Sequence, residues 1–237
     1  MLTLVGLVLM ALSPTMAIPA SVDDFTIIAL PDTQVYARTA SPIFSAQTQW
    51  IVDNLDSMNI VYVAQLGDCV ENGDTIEAEW IVADEAFSLL EDPLTTMLTD
   101  GIPFGIAVGN HDQTPQGDAD GTTFFYNLYF GEARFWGRAY YGDYYGTNND
   151  NHFDLFSAGG LDFIVIYLEY DTSPDIEVLD WADALLKNYS DRRAIIVSHY
   201  LINIGEQASF GTQGQMIYDA LKDNQNLFLW DRIFAYK

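Results

Sequence analysis

The sequence predicts an α/β layered domain, and three observations carry that expectation. Six short apolar runs alternate with helix-patterned segments; the runs are largely rich in Ile, Val and aromatics; and four of them are followed by residues suited to ligand binding. The runs are Phe25–Leu30, Ile60–Leu66, Pro103–Val108, Leu161–Leu168, Ala194–Val197 and Leu227–Trp230. Continuous apolar character over so short a length fits strands buried on both faces. Strands that alternate with helices imply sheets covered by helical layers.

Between the first two runs, Ser41-Pro42 reads as a helix start, with Ser as cap and Pro at the first position. Phe44, Ile51, Val52, Leu55 and Met58 come next at near-helical spacing. Glu77–Leu90 repeats the pattern, as does Ile176–Tyr189, where Val178, Leu179, Ala182, Leu185 and Leu186 share a face. Thr212–Lys222 is a weaker fourth helix. Residues 113–160 break the rhythm with Gly, Asn, Asp and many aromatics, so they read as a functional insertion with its own packing. No repeat and no interdomain linker appears, and residues 22–237 read as one domain.

Composition removes several function classes. The 237 residues hold 34 Asp plus Glu against 9 Lys plus Arg, a formal net charge of −25. Such a surface repels phosphate backbones, which excludes sequence-independent nucleic-acid binding, and it suits an anionic membrane no better. Most of the acids fit a solvated coat. Cys69 is the one cysteine, so no intrachain disulfide and no zinc finger can form. Residues 1–20 have the shape of a signal peptide: Leu2 to Leu12 is apolar but too short to span a bilayer, and small residues precede a cut after Ala17. That shape predicts a secreted, periplasmic or extracellular protein with no membrane span once the signal is removed. The sequence carries no signal for oligomeric state.

The chemistry lies just beyond the ends of the runs. The first run leads into Pro31-Asp32-Thr33-Gln34, the second into Gly67-Asp68-Cys69-Val70-Glu71, the third into Gly109-Asn110-His111-Asp112 and the fifth into Ser198-His199. An α/β sheet binds ligands at the carboxyl ends of its strands. Oxygen and imidazole donors converging there point to a metal site of mixed ligands. Gly67 and Gly109 let the backbone turn sharply and present the next side chain.

This set resembles the calcineurin-like metallophosphoesterase superfamily, whose pattern runs D-x-[HQG], G-D-x-x, G-N-H-[DE], a later His and then G-H-x-H. The resemblance covers nearly everything from residue 25 onward, and the Asn148–His152 and Gly159–Phe163 segments look like those of secreted bacterial members. It implies a four-layer α/β/β/α sandwich and two metal ions (Mn, Fe or Zn) sharing Asp68. Asp32 and Gln34 would complete the first metal's protein ligands, and Asn110 and His199 would bind the second. Gln34 stands where many members have His, and a carboxamide oxygen is the weaker donor. His111 would contact the phosphoryl or leaving-group oxygen, held in orientation by Asp112 or Glu71. The implied activity is hydrolysis of phosphate mono- or diesters on a small phosphorylated substrate. Two cations about 4 Å apart would neutralise the ester's charge and activate water.

The G-H-x-H motif has no counterpart, since no histidine comes after His199. The sequence therefore reads as cut or frame-shifted within the domain, with the last strands of the second sheet missing, weak metal binding and low solubility. Two rival readings stand beside the hydrolase: an inactive remnant of the family, or a calcium-dependent extracellular binding module, for which Asp118–Gly121 resembles half a calcium loop but otherwise reads as a turn. His152 is a candidate for lining the substrate mouth. One of Arg38, Arg134 and Arg138 is a candidate phosphate clamp. Cys69 reads as a small buried residue.

Overall fold

The computed structural model describes residues 24–203 and 209–226. The expected signal peptide and the expected strand Leu227–Trp230 lie outside the described residues. Three parallel strands, β1 (Thr26–Leu30), β2 (Ile60–Gln65) and β3 (Phe104–Ile106), form the first sheet in that order. The crossovers carry α1 (Gln34–Thr39) and α2 (Ser41–Asp53), then α3 (Glu77–Glu91) and α4 (Pro93–Thr96). After β3 come α5 (Phe124–Phe130) and α6 (Glu132–Phe135). The second sheet has the order β4 (Tyr141–Tyr144), β5 (His152–Ala158), β6 (Leu161–Tyr167) and β7 (Arg193–Val197). Its first three strands are antiparallel and β7 runs parallel to β6 through α7 (Ile176–Asn188); α8 (Thr212–Leu221) comes last.

The core confirms four layers. Phe44, Ile51, Trp80, Phe87 and Leu90 of α2 and α3 pack with Val63, Phe104 and Ile106 on the outer face of the first sheet. Tyr62, Ala64, Phe163, Val165, Tyr167, Ile195 and Val197 fill the space between the sheets. Ile164, Ile166, Ala194 and Ile196 meet α7 and α8 through Leu179, Ala182, Leu186, Ile217 and Leu221. From Phe163 along β6, alternate residues face the other sheet and the helices, so both faces are buried and that stretch reads as unbroken apolar sequence. This is the α/β/β/α order that the resemblance implies. No helix among the described residues is long and apolar enough to cross a membrane.

Three local expectations are corrected. Ser41 is already helical, Ala40 is the N-cap without a side-chain cap, and Pro42 sits in the first turn, because α1 ends immediately upstream at Thr39. Residues 113–160 pack on one another, as where the Phe135 ring stacks on Tyr141, but not on themselves alone. Tyr126, Phe130, Phe135 and Tyr140 join the core around α3, and β4 and β5 form half of the second sheet. His152 does not line a mouth: it is buried between the sheets, its ring stacked on Tyr167 with centroids 4.5 Å apart. Two residues along β5, the Asp154 carboxylate accepts the Tyr62 hydroxyl in the same layer. Burial holds His152 neutral, pushing its pKa down to about 4.

Candidate metal centre

Strand direction assembles the site. Because β1 and β2 are parallel, Asp32 and Asp68 emerge at one edge of the first sheet. The facing sheet brings β7, and with it His199, to the same edge. Gly67 has φ +98° and Asp68 φ +51°, so the chain reverses sharply just past β2. A Cβ on Gly67 would lie 2.7 Å from the His199 Cβ, and one on Gly109 would overlap the Asp68 backbone. Glycine is required at both positions for the three strand ends to converge.

Among the described residues, one group of three His, Cys, Asp or Glu side chains gathers ligand atoms closely enough for a metal ion. It consists of Asp32, Asp68 and His199, with the atoms within 4.8 Å of one another. His199 Nδ1 lies 3.0 Å from the Leu66 carbonyl oxygen. A carbonyl only accepts, so neutral His199 carries its proton on Nδ1 and turns the Nε2 lone pair toward the Asp68 carboxylate. Asp68 Oδ1 accepts the His111 backbone N–H at 2.9 Å. Its Oδ2 lies 3.1 Å from His199 Nε2, yet neither atom makes a hydrogen bond. Asp32 Oδ1 lies 3.8 Å from His199 Nδ1.

The residues present fit a metal. Gln34 Oε1, Asp68 Oδ2 and His199 Nε2 are all buried without hydrogen bonds, and each is a Lewis base. Buried polar atoms are rarely left so. Carboxylate and carboxamide oxygens with one imidazole suit a hard or borderline cation such as Mn, Fe or Zn. Burial alone would raise the Asp68 carboxyl, but His199 and the His111 N–H outweigh it and hold it below its ordinary range. Burial likewise opposes a charge on His199, and Asp68, with help from Leu66 and Asp32, raises its pKa nonetheless. Each group thus stabilises the charge that a cation would complement or displace.

The remaining expected site residues surround this cluster. The backbone N–H groups of Thr33 and Gln34 donate to the Asp68 carbonyl at 3.1 and 3.0 Å, which seats the start of α1 against Asp68. Asn110 occupies the turn between Gly109 and His111, and its carbonyl accepts the Gly117 N–H at 2.9 Å. His111 Nδ1 meets the Glu71 carbonyl oxygen at 3.0 Å, with Glu71 Oε1 3.9 Å away, while Nε2 meets the Gln116 amide at 2.8 Å. Of the two acids expected to orient His111, Glu71 is therefore the one beside it. Asp112 is fully buried and accepts backbone N–H groups from Cys69, Val70 and Gly109, which holds the two loops together.

Of the three candidate clamps, Arg38 is at the site, 3.1 Å from Glu71. Arg134 binds Asp84 and Glu91, and Arg138 binds Glu91, on the outer helical layer. Cys69 is buried in the helix-side core, and burial keeps its thiol protonated. Asp118–Gly121 is a turn, closed by the Gly121 N–H on the Asp118 carbonyl. Sequence reasoning missed Gln116, Tyr170 and Tyr200. The two tyrosines lie a few residues past the ends of apolar runs, as the expected metal ligands do.

No family model matches the chain. Among curated proteins it is 35% identical over 213 residues to the uncharacterized protein YvnB of Bacillus subtilis. That match covers 90% of this chain, which spans 15% of the length of YvnB. Among solved structures it is similar to a dimetal phosphatase from Danio rerio, with 13% identity, a TM-score of 0.46, and coverage of 86% of this chain and 79% of the other. It is also similar to GAP50, the anchor in the inner membrane complex of Plasmodium, with 13% identity, a TM-score of 0.47, and coverage of 84% and 62%.

Proposed function

We propose that the domain binds a metal ion through Asp32, Asp68 and His199, in a centre built for phosphate-ester hydrolysis that is weak or silent within these 237 residues. The single observation that carries the reading is that Asp68 Oδ2 and His199 Nε2, inside the Asp32, Asp68 and His199 group, are buried Lewis-base atoms left without hydrogen bonds. A bound cation would supply Lewis-acid neutralisation of a phosphate's charge. A second ion sharing Asp68 would draw on Gln34, at the start of α1, and on Asn110, between Gly109 and His111. Glu71 orients His111 toward the site mouth, where a substrate oxygen would replace the Gln116 amide. Arg38 adds one positive charge beside it.

Weak turnover is part of the proposal because the donor set is thin. The chain has three histidines, and His152 is locked between the sheets. His199 is then the one imidazole in the cluster, with His111 held by Glu71. Fewer imidazoles lower affinity for borderline metals. A non-catalytic metal-binding role is the second reading, favoured by the same three-residue donor set. The calcium-module reading has no acidic cluster of its own among the described residues. Export to the cell exterior rests on the N-terminal sequence.

The test is a calorimetric titration of the metal-free chain with Mn2+, followed by assays on mono- and diester substrates. Binding that disappears in Asp68→Asn and His199→Ala supports the centre. Asp68-dependent turnover then favours the hydrolase, and binding without turnover favours the non-catalytic role. Absence of metal binding by the folded chain removes both.

A further inference from the structure

The strand edge that holds the metal cluster also carries two aromatic side chains that the metal reading leaves unused. Tyr170 lies just beyond β6 and Tyr200 just beyond β7, so both emerge where Asp32, Asp68 and His199 converge. The Tyr170 ring lies 6.3 Å from the His199 ring and 5.9 Å from the Tyr200 ring, centroid to centroid. On its other side Tyr170 faces Gly117. A Cβ built there would sit 3.7 Å from Tyr170 Cε1 and 3.8 Å from the Asn110 Cβ. The ring therefore stands between His199 and the turn that carries Asn110, bordering both expected metal ligands.

The pair is held in place from behind. The Tyr170 N–H donates to the Val108 carbonyl at 2.8 Å, and its own carbonyl accepts the Gln113 amide at 2.8 Å. Tyr200 donates its hydroxyl to Asn203 Oδ1 at 2.9 Å. Its ring lies over Gly211, where an added Cβ would come within 2.6 Å of the ring, so glycine at 211 makes room for it. Both tyrosines are half-buried. A side chain that served only as core packing would be covered, and one that served only solubility would not be anchored at both backbone ends. Aromatic rings fixed beside a charge-binding centre suit a ligand with an anionic end and a flat apolar end.

We propose that Tyr170 and Tyr200 form the wall that receives the organic group of a phosphate ester, and that the preferred esters carry an aromatic group, a nucleobase or another aryl ring. This rests on the phosphoester reading above and adds the substrate class. Stacking of a base on an aromatic side chain strengthens binding by roughly five- to 150-fold, so about tenfold is the expected preference.

The experiment is calorimetric titration of the Mn2+-loaded 237-residue chain with AMP, phenyl phosphate, glycerol phosphate and inorganic phosphate. The aromatic esters should bind about tenfold tighter than glycerol phosphate, and comparison of AMP with phenyl phosphate shows which ring is preferred. Tyr170→Leu and Tyr200→Leu should each reduce that preference while inorganic phosphate binds as before, and Tyr170→Phe should retain it. Inorganic phosphate binding without any preference for aromatic esters overturns this inference and leaves the phosphoester reading intact. A preference that survives both leucine variants, or inorganic phosphate binding lost in both, overturns it as well. Metal binding with no affinity for any phosphate compound overturns both readings.

Discussion

Asp112 closes on Gly109, accepting its backbone N–H at 2.8 Å, and the same carboxylate accepts the N–H groups of Cys69 and Val70 across 43 and 42 residues of sequence. Two loops that each carry expected site residues are thereby joined through one buried side chain. Burial, and next the Asp68 charge, push the Asp112 carboxyl up to about 7 against the pull of these three N–H groups. Asp112→Asn turns an amide N–H2 toward backbone donors, leaving at least one of them unsatisfied. The expected cost is about 2–3 kcal/mol in urea unfolding at neutral pH. A variant as stable as the parent would show that the bridge is not structural.

Gly109→Ala tests the same junction from the other side. The added methyl overlaps the Asp68 backbone and carboxylate, neither of which can yield without displacing the other. Mn2+ affinity should fall by at least tenfold, beyond any effect of Ala on the turn itself. A control at Gly146, where a Cβ meets nothing within 4 Å, should leave Mn2+ affinity unchanged even though φ +74° strains it. Equal Mn2+ affinities in the two variants would refute the close-approach argument.

The arginines divide between function and stability. Arg134→Ala breaks a mostly buried network with Asp84 and Glu91 and removes a guanidinium stacked 4.6 Å from the Phe130 ring centroid. A loss of about 2–4 kcal/mol is expected, with phosphate affinity unchanged. Arg38 is half-exposed and paired with Glu71 alone among the described ion pairs, so Arg38→Ala should spare stability and weaken phosphate binding to the metal-loaded chain. Thermal melts and phosphate titrations of both variants decide this, and the reverse allocation would exclude Arg38 as an anion contact.

Asp32, Asp68 and His199 were legible in the sequence because strand ends carry ligands and because glycine marks the sharp turn before Asp68. The parallel strands were legible because burial on both faces leaves unbroken apolar runs. β4 and β5 were not legible. His152 and Asp154 point into a layer where polar groups pair with Tyr167 and Tyr62, so β5 alternates polar residues with Phe153 and Leu155 and lacks the unbroken apolar run expected of a strand buried on both faces. Helix α1 buries Ala37 alone, too little for a periodic signal. Tyr170 and Tyr200 escaped notice because aromatics beside apolar runs read as core, and only three-dimensional placement separates a packed ring from one at a site mouth.

Two of the buried groups that make stability depend on pH act in opposite directions. His152 is neutral in the fold, with a pKa of about 4 against 6.5 ordinarily, so the unfolded chain binds its proton more readily. Its contribution is intact above pH 6.5 and is lost as pH falls toward 4. Glu169 is pushed the other way: burial, with repulsion from Asp150 next, raises it to about 8 from 4.5, against hydrogen bonds from Asn151 and Gln113. There the folded chain binds the proton more readily, so that contribution is present below pH 4.5 and is lost as pH rises toward 8. Glu169→Gln keeps an oxygen for Asn151 and removes the titration. Urea unfolding from pH 5 to pH 8 should therefore show stability falling less steeply in Glu169→Gln than in the parent, with the acid limb from His152 unaltered. Parallel curves for the two proteins across that range would rule out Glu169 as the source.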